Sequence, residues 1–152
     1  MNEQNIEQEI QAKGLTAPRV TPADIEAEIA SEHCFTAAEG VIGAFAAGGM
    51  EKSGGDFLVM AEAASPDLLH QNLGLLTFCV LRLRNGFTVT GESACASPEN
   101  FDAEIGRKIA RQNAMQKIWP LLGFRLRDQL ARPVLTDADA EADLAGSPRP
   151  SA

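Results

Sequence analysis

The dipeptide Asn85-Gly86, set between the apolar run 75–83 and the alternating run 87–90, most constrains what this chain can fold into. Asn-Gly between two strand-like runs is a strong hairpin signal, because a two-residue type I′ turn needs positive φ at both central positions. Residues 75–83 are apolar until Arg82, the pattern of a strand buried on both faces for most of its length. Phe87-Thr88-Val89-Thr90 alternates apolar and polar, as a half-buried strand does. A loop of small and polar residues, 93–100, feeds a long helix whose start the spacing predicts at Ser97-Pro98-Glu99. Two stripes run along that helix. Phe101, Ile105 and Ile109, closed by Ile118 and Trp119, make an apolar face. Beside it lie Gly106, Ala110 and Ala114 at strict i+4 spacing. A glycine inside a helix needs a packing reason, and this seam predicts close helix–helix packing, within or between subunits.

The rest of the chain supplies flanking elements. Thr21 caps a helix predicted over 22–32, with Pro22 at its first position and Asp24 near the positive end of its dipole. Six glycines between Gly40 and Gly55 predict a loop region, with a short strand near Phe57-Leu58-Val59-Met60. Residues 121–130 read as a further short helix. The fold class is α+β: an antiparallel hairpin or small sheet packed with a long helix and flanking helices, oligomeric through helix–helix packing. The expected division is a flexible extension over 1–20, one domain over 21–132, and a disordered acidic tail over 133–152.

Charge is unevenly placed. The net charge of −8 comes from the ends: residues 1–32 hold seven acids against two bases, and residues 133–152 four against one. Between 82 and 132 nine bases face five acids. A basic segment between acidic ends argues against general nucleic-acid binding, which favours net positive charge, and suits a small anion held locally. Cys34, Cys79 and Cys95 form no CxxC, and this scattered set without a leader reads as reduced thiols of a cytoplasmic protein. No apolar run reaches the roughly 18 residues of a membrane span.

No constellation of a catalytic centre is visible, so an enzyme is not expected. His33 and Cys34 are neighbours whose side chains point apart on a strand or helix, and no third group orients them. The glycine pairs fit neither GxGxxG nor a Walker loop. Binding chemistry is better represented. Arg107 and Arg111 are neighbours at i, i+4 and, with Arg82 or Arg84 from the hairpin, can clamp phosphates through planar guanidinium forks. The alternative is a solvated helix face with ordinary ion pairs. Ser97 and Asn100 lie at the predicted helix start, where free backbone N–H groups attract anions. Phe87 is either a core residue or an exposed ring able to stack on a base.

Residues 76–81, 85–96 and 97–110, with Thr21-Pro22-Ala23-Asp24-Ile25-Glu26 and the run 31–40, resemble a widespread family of small tailed-phage proteins, the phage gene 49/gene 66 family. The resemblance covers roughly 21–131 and excludes the first 20 residues, the tail and the region 48–69, which looks longer than usual. The family is similar to the type-one Thoeris anti-defence proteins. What this implies is a phage-encoded sponge that binds a bacterial immune signalling nucleotide, such as a cyclic ADP-ribose isomer or a cyclic oligonucleotide, without cleaving it. It further implies a homo-oligomer, dimer or hexamer, with no cofactor or metal. The alternative is a non-enzymatic adaptor that binds a host or phage protein. The seven residues Arg82, Arg84, Phe87, Ser97, Asn100, Arg107 and Arg111 are expected ligand contacts on chemistry alone.

Overall fold

The most apolar strand becomes the central one. In the computed structural model, which describes residues 2–47, 72–132 and 135–150, Leu76–Leu83 (β2) pairs antiparallel with Ile29–Thr36 (β1) on one side and Thr88–Ala94 (β3) on the other. Side chains alternate along β2. Thr77, Cys79, Leu81 and Leu83 are buried, Leu76, Phe78 and Val80 on the opposite face are half-buried, and Arg82 is exposed. Full burial is therefore confined to one face.

The hairpin is where the sequence predicts it, but its turn differs. Positive φ among the described residues occurs only at glycines, including Gly86 at 86°, so Asn85 does not adopt the conformation a type I′ turn requires. Leu83 instead donates its N–H to Phe87 O at 2.8 Å and accepts from Gly86 N at 2.9 Å. This is the pattern of a three-residue loop whose last residue, glycine, takes the left-handed position. Asn85 acts through its side chain, with Oδ1 accepting from Phe87 N at 3.0 Å.

Two further expectations are corrected by pairing and capping. The helix starting at Pro22 (α2, Pro22–Glu28) stops four residues early, because β1 follows directly and its backbone groups are taken by β2. Residues 29–36 lack a clean alternation, so β1 owes its form to its partner strand rather than to its own pattern. The glycine-rich region opens with a helix, Ala37–Ala46 (α3), where a loop is expected. Thr36 and Glu39 form a reciprocal cap there: Thr36 N donates to Glu39 Oε2 at 2.8 Å and Glu39 N to Thr36 Oγ1 at 3.2 Å. The expected strand at 57–60 lies outside the described residues.

The long helix begins later than predicted. Pro98–Asn100 forms only a 3-10 turn, and the helix proper is Ala103–Gln116 (α4), capped by Asp102, whose side chain accepts from Ile105 N at 2.9 Å. Its two stripes trade places. Gly106, Ala110 and Ala114 are the buried face and lie on the sheet, whereas Ile105 and Ile109 are 56% and 44% exposed. The small residues thus pack against strands of the same chain, not against a second helix. Gly91 of β3 explains why: a Cβ there would lie 2.9 Å from the Asn113 carbonyl carbon and closer still to Ala110 O and Ala114 N. Helix backbone rests directly on strand backbone, an approach that only glycine permits. Asn113 Nδ2 adds a hydrogen bond to Glu92 O at 2.8 Å.

The chain divides into two compact units, Ala23–Trp119 and the terminal stretches Met1–Pro22 with Pro120–Ala152. The cut at Pro120 falls inside the span 21–132 expected to form one domain. The terminal stretches expected to be flexible or disordered contain Glu3–Ala12 (α1) and Asp137–Ala145 (α6). Between them in sequence, Ile118–Ala131 (α5) includes the expected helix at 121–130. α6 has the clearest local cause, a Thr136/Asp139 capping box at its start and Gly146 at φ 66° beyond its end. Arg19 holds Glu7 through two 2.6 Å hydrogen bonds, which keep that carboxyl down at about 2.

Gly91→Ala is expected to destabilise the protein by about 3 kcal/mol or more, since neither backbone can yield as a flexible side chain would. A chemical-denaturation midpoint within error of wild type contradicts this contact.

Candidate functional site

Replacing an apolar stripe by small residues at the sheet leaves a recess beside the start of α4. Thr77 on β2 and Ser93 on β3 face each other across the hairpin and form its floor. Phe101, Ile105, Gly106 and Ile109 wall it on the helix side, with Asn100 and Asp102 at the rim and Leu75 and Cys95 opposite. Its volume is about 140 Å³. That is well below the roughly 300–1,000 Å³ of a site enclosing a drug-sized ligand, so it suits one ring of a larger molecule. Thr77 is 2% exposed and its Oγ1 is buried with no hydrogen-bond partner. An unmet buried hydroxyl costs on the order of 1–3 kcal/mol, and here it sits against Gly106 at the floor of the cleft rather than open to it. The walls are apolar, no Lys or Arg lines the cleft, and Asp102 already caps the helix N-terminus.

Of the seven expected contacts, Asn100 alone lines this cleft. Ser97 lies nearby in the chain, half-buried. Its side chain makes no capping bond, and its carbonyl accepts from Cys95 Sγ at 3.2 Å. Phe87 is 54% exposed at the turn end of the hairpin, about 20 Å along the strand from Ser93 at the usual rise per residue. Arg82 projects from the sheet face opposite α4 and donates from Nε to Ser31 Oγ at 3.3 Å, while Arg84 is exposed in the turn. Arg107 and Arg111 follow Gly106 and Ala110 by one residue, whereas Ile105 and Ile109 precede them. At about 100° per residue the arginines and the cleft therefore occupy opposite flanks of the helix. A single chain does not assemble the hairpin-and-helix arginine clamp.

Arg111 has a different task. Its Nε donates to Glu32 on β1 at 2.7 Å and its NH2 group to Glu26 on α2 at 2.8 Å, so one guanidinium joins three elements. Hydrogen bonding from Arg111 lowers the Glu26 carboxyl below its ordinary value, and the two glutamates, Glu26 first, raise the guanidinium in turn. Arg111→Ala should cost about 1–2 kcal/mol, more than a lone exposed pair because the fork serves two partners. Because the folded Glu26 is the depressed form, its contribution is complete above the unfolded carboxyl value of about 4.3 and is lost as pH falls through the folded one. The stability gap between wild type and Arg111→Ala should therefore narrow below about pH 4.3; a gap that stays constant down to full protonation rules this out.

Thr77 and the other residues of the cleft, Asn100 excepted, are not among the seven expected contacts. The available signal is one polar residue at an inward position of the most apolar strand, visible once the face of β2 is known. His33 and Cys34 point to opposite faces, paired with Val80 and Cys79 respectively. Among the described residues no group of three or more His, Cys, Asp or Glu side chains is placed to hold a metal, and no helix is long and apolar enough to cross a membrane.

A three-stranded antiparallel sheet, one helix laid flat on it and a recess at that helix's start define a small α+β domain. Residues 20–130 match the model of the phage protein (N4 Gp49/phage Sf6 gene 66) family, and the chain belongs to that family. No curated protein and no solved structure matches it.

Proposed function

We propose that this phage protein is a non-enzymatic binder that sequesters a bacterial immune signalling nucleotide, a cyclic ADP-ribose isomer or a cyclic oligonucleotide, in the host cytoplasm. The observation that carries the reading is the partnerless Thr77 hydroxyl in an apolar recess sized for one heteroaromatic ring. In this reading the Thr77 hydroxyl, shielded in the ligand-free protein, turns toward the ligand. Ser93 and Asn100 supply further hydrogen bonds to a base edge, and Phe101, Ile105 and Ile109 supply apolar contact. The resemblance to anti-defence sponges supports the same class of ligand. Because the arginine flank and the cleft are separate in one chain, phosphate contacts in this reading come from Arg82, Arg84 or Arg107 of a second copy, which makes oligomerisation part of binding.

Calorimetry and thermal shift with a panel of these nucleotides should show stoichiometric binding, and heating the complex should release the ligand intact. Hydrolysed ligand, or no binding across the panel, overturns the proposal. Thr77→Val should weaken binding at least tenfold, about 1.4 kcal/mol, while stabilising the ligand-free protein by about 1 kcal/mol through removal of an unmet polar group. Unchanged affinity in that variant places the ligand elsewhere.

A second reading, an adaptor for a host or phage protein, is favoured by the exposure of Ile105 and Ile109 side by side at the cleft rim. Stoichiometric capture of one protein, lost in Ile105→Asp/Ile109→Asp, together with no nucleotide binding selects it.

A further inference from the structure

We propose that Cys34 and Cys79 are a redox-reactive dithiol that a hydroperoxide converts into a disulfide joining β1 to β2. The two residues face each other directly in the antiparallel register, and Cys34 Sγ donates to Cys79 Sγ at 2.8 Å. Opposed residues of antiparallel strands have Cα atoms about 4.5–5.5 Å apart, within the roughly 4.4–6.8 Å a disulfide spans. The sulfurs can therefore close by side-chain rotation, without separating the strands. Both thiols are free, Cys34 half-buried and Cys79 fully buried. The third cysteine, Cys95, is engaged with the Ser97 carbonyl and is no part of the pair.

The asymmetry of the pair sets the order of events. Burial first, and then the adjacent Cys34 thiol, push the Cys79 thiol up to about 12, so it stays protonated and closed to solvent. Cys34, the accessible sulfur, attacks the hydroperoxide as thiolate. An S–O bond forms, the O–O bond breaks and the leaving oxygen departs as hydroxide or alkoxide, giving Cys34 sulfenic acid. Cys79 sulfur then attacks the Cys34 sulfur: the S–S bond forms, the S–O bond breaks, and the departing hydroxide takes the Cys79 proton as water. Two thiols lose two electrons in total and one peroxide gains them. The disulfide would tie together strands that lie 45 residues apart in sequence, shrinking the freedom of the unfolded chain.

The test uses the intact wild-type protein, treated with stoichiometric hydrogen peroxide, quenched, and digested without reductant. The expected result is a mass lower by two hydrogens, a Cys34–Cys79 cross-linked peptide, reversal by dithiothreitol, and a higher melting temperature for the oxidised form. Cys95→Ser should give the same cross-link. A cross-link through Cys95, accumulation of sulfinic acid at Cys34 with no cross-link, or two unreacted thiols at Cys34 and Cys79 would each overturn the proposal. These readouts are independent of any nucleotide, so their failure leaves the sequestration reading untouched.

Discussion

The contact between Gly91 and the backbone of α4 is the constraint on which the central unit depends. With no Cβ on the strand, and only Gly106, Ala110 and Ala114 on the helix, the two backbones meet without intervening side chains. Close approach of this kind gains dispersion over the whole contact rather than at a few large side chains. It also dictates rotation of the helix. Once the small stripe faces the sheet, Ile105 and Ile109 must turn outward on one flank and Arg107 and Arg111 on the other. Both the recess and the ion-pair network follow from that single choice.

Each flank then acquires a distinct character. On the β1 side Arg111 bridges Glu26 and Glu32, so its charge is spent on holding α2, β1 and α4 together. On the cleft side the floor is polar and the walls are apolar, with one hydroxyl left without a partner. A structure optimised for stability alone would place valine at that position, since the hydroxyl adds cost and no contact. Local cost at an inward-facing residue beside a recess is the pattern expected of a binding surface.

Much of the architecture was legible. The hairpin position, the burial of β2 on one of the two faces expected, the helix start at Pro22, the long helix and the one after it all follow from turn chemistry and apolar spacing. The misses have definite causes. β1 has no alternation of its own and exists through pairing with β2. α3 was hidden by its glycines, although Thr36 and Glu39 carry the signature of a capping box, and Thr136 and Asp139 carry the equivalent for α6. The helix start at Asp102 rather than Ser97 reflects competition between two plausible caps. Of the site, Asn100 alone was anticipated, because charge drew attention to the arginines whereas the recess is uncharged.

By itself, the sequence determined which residues turn the chain, which run forms the more buried strand of the hairpin, and which phage family the chain resembles, since these rest on local backbone preference and on motif. It also determined that Gly106, Ala110 and Ala114 share a face and demand a close neighbour. Only the tertiary structure decided what that neighbour is. Helical periodicity specifies which residues point together, but not toward what. A glycine on a strand fifteen residues before Gly106 is invisible as a partner until the hairpin and helix are folded onto each other. That one unreadable contact turned an expected seam between helices into a seam between helix and sheet, and with it moved the candidate site from the arginines to the recess floored by Thr77.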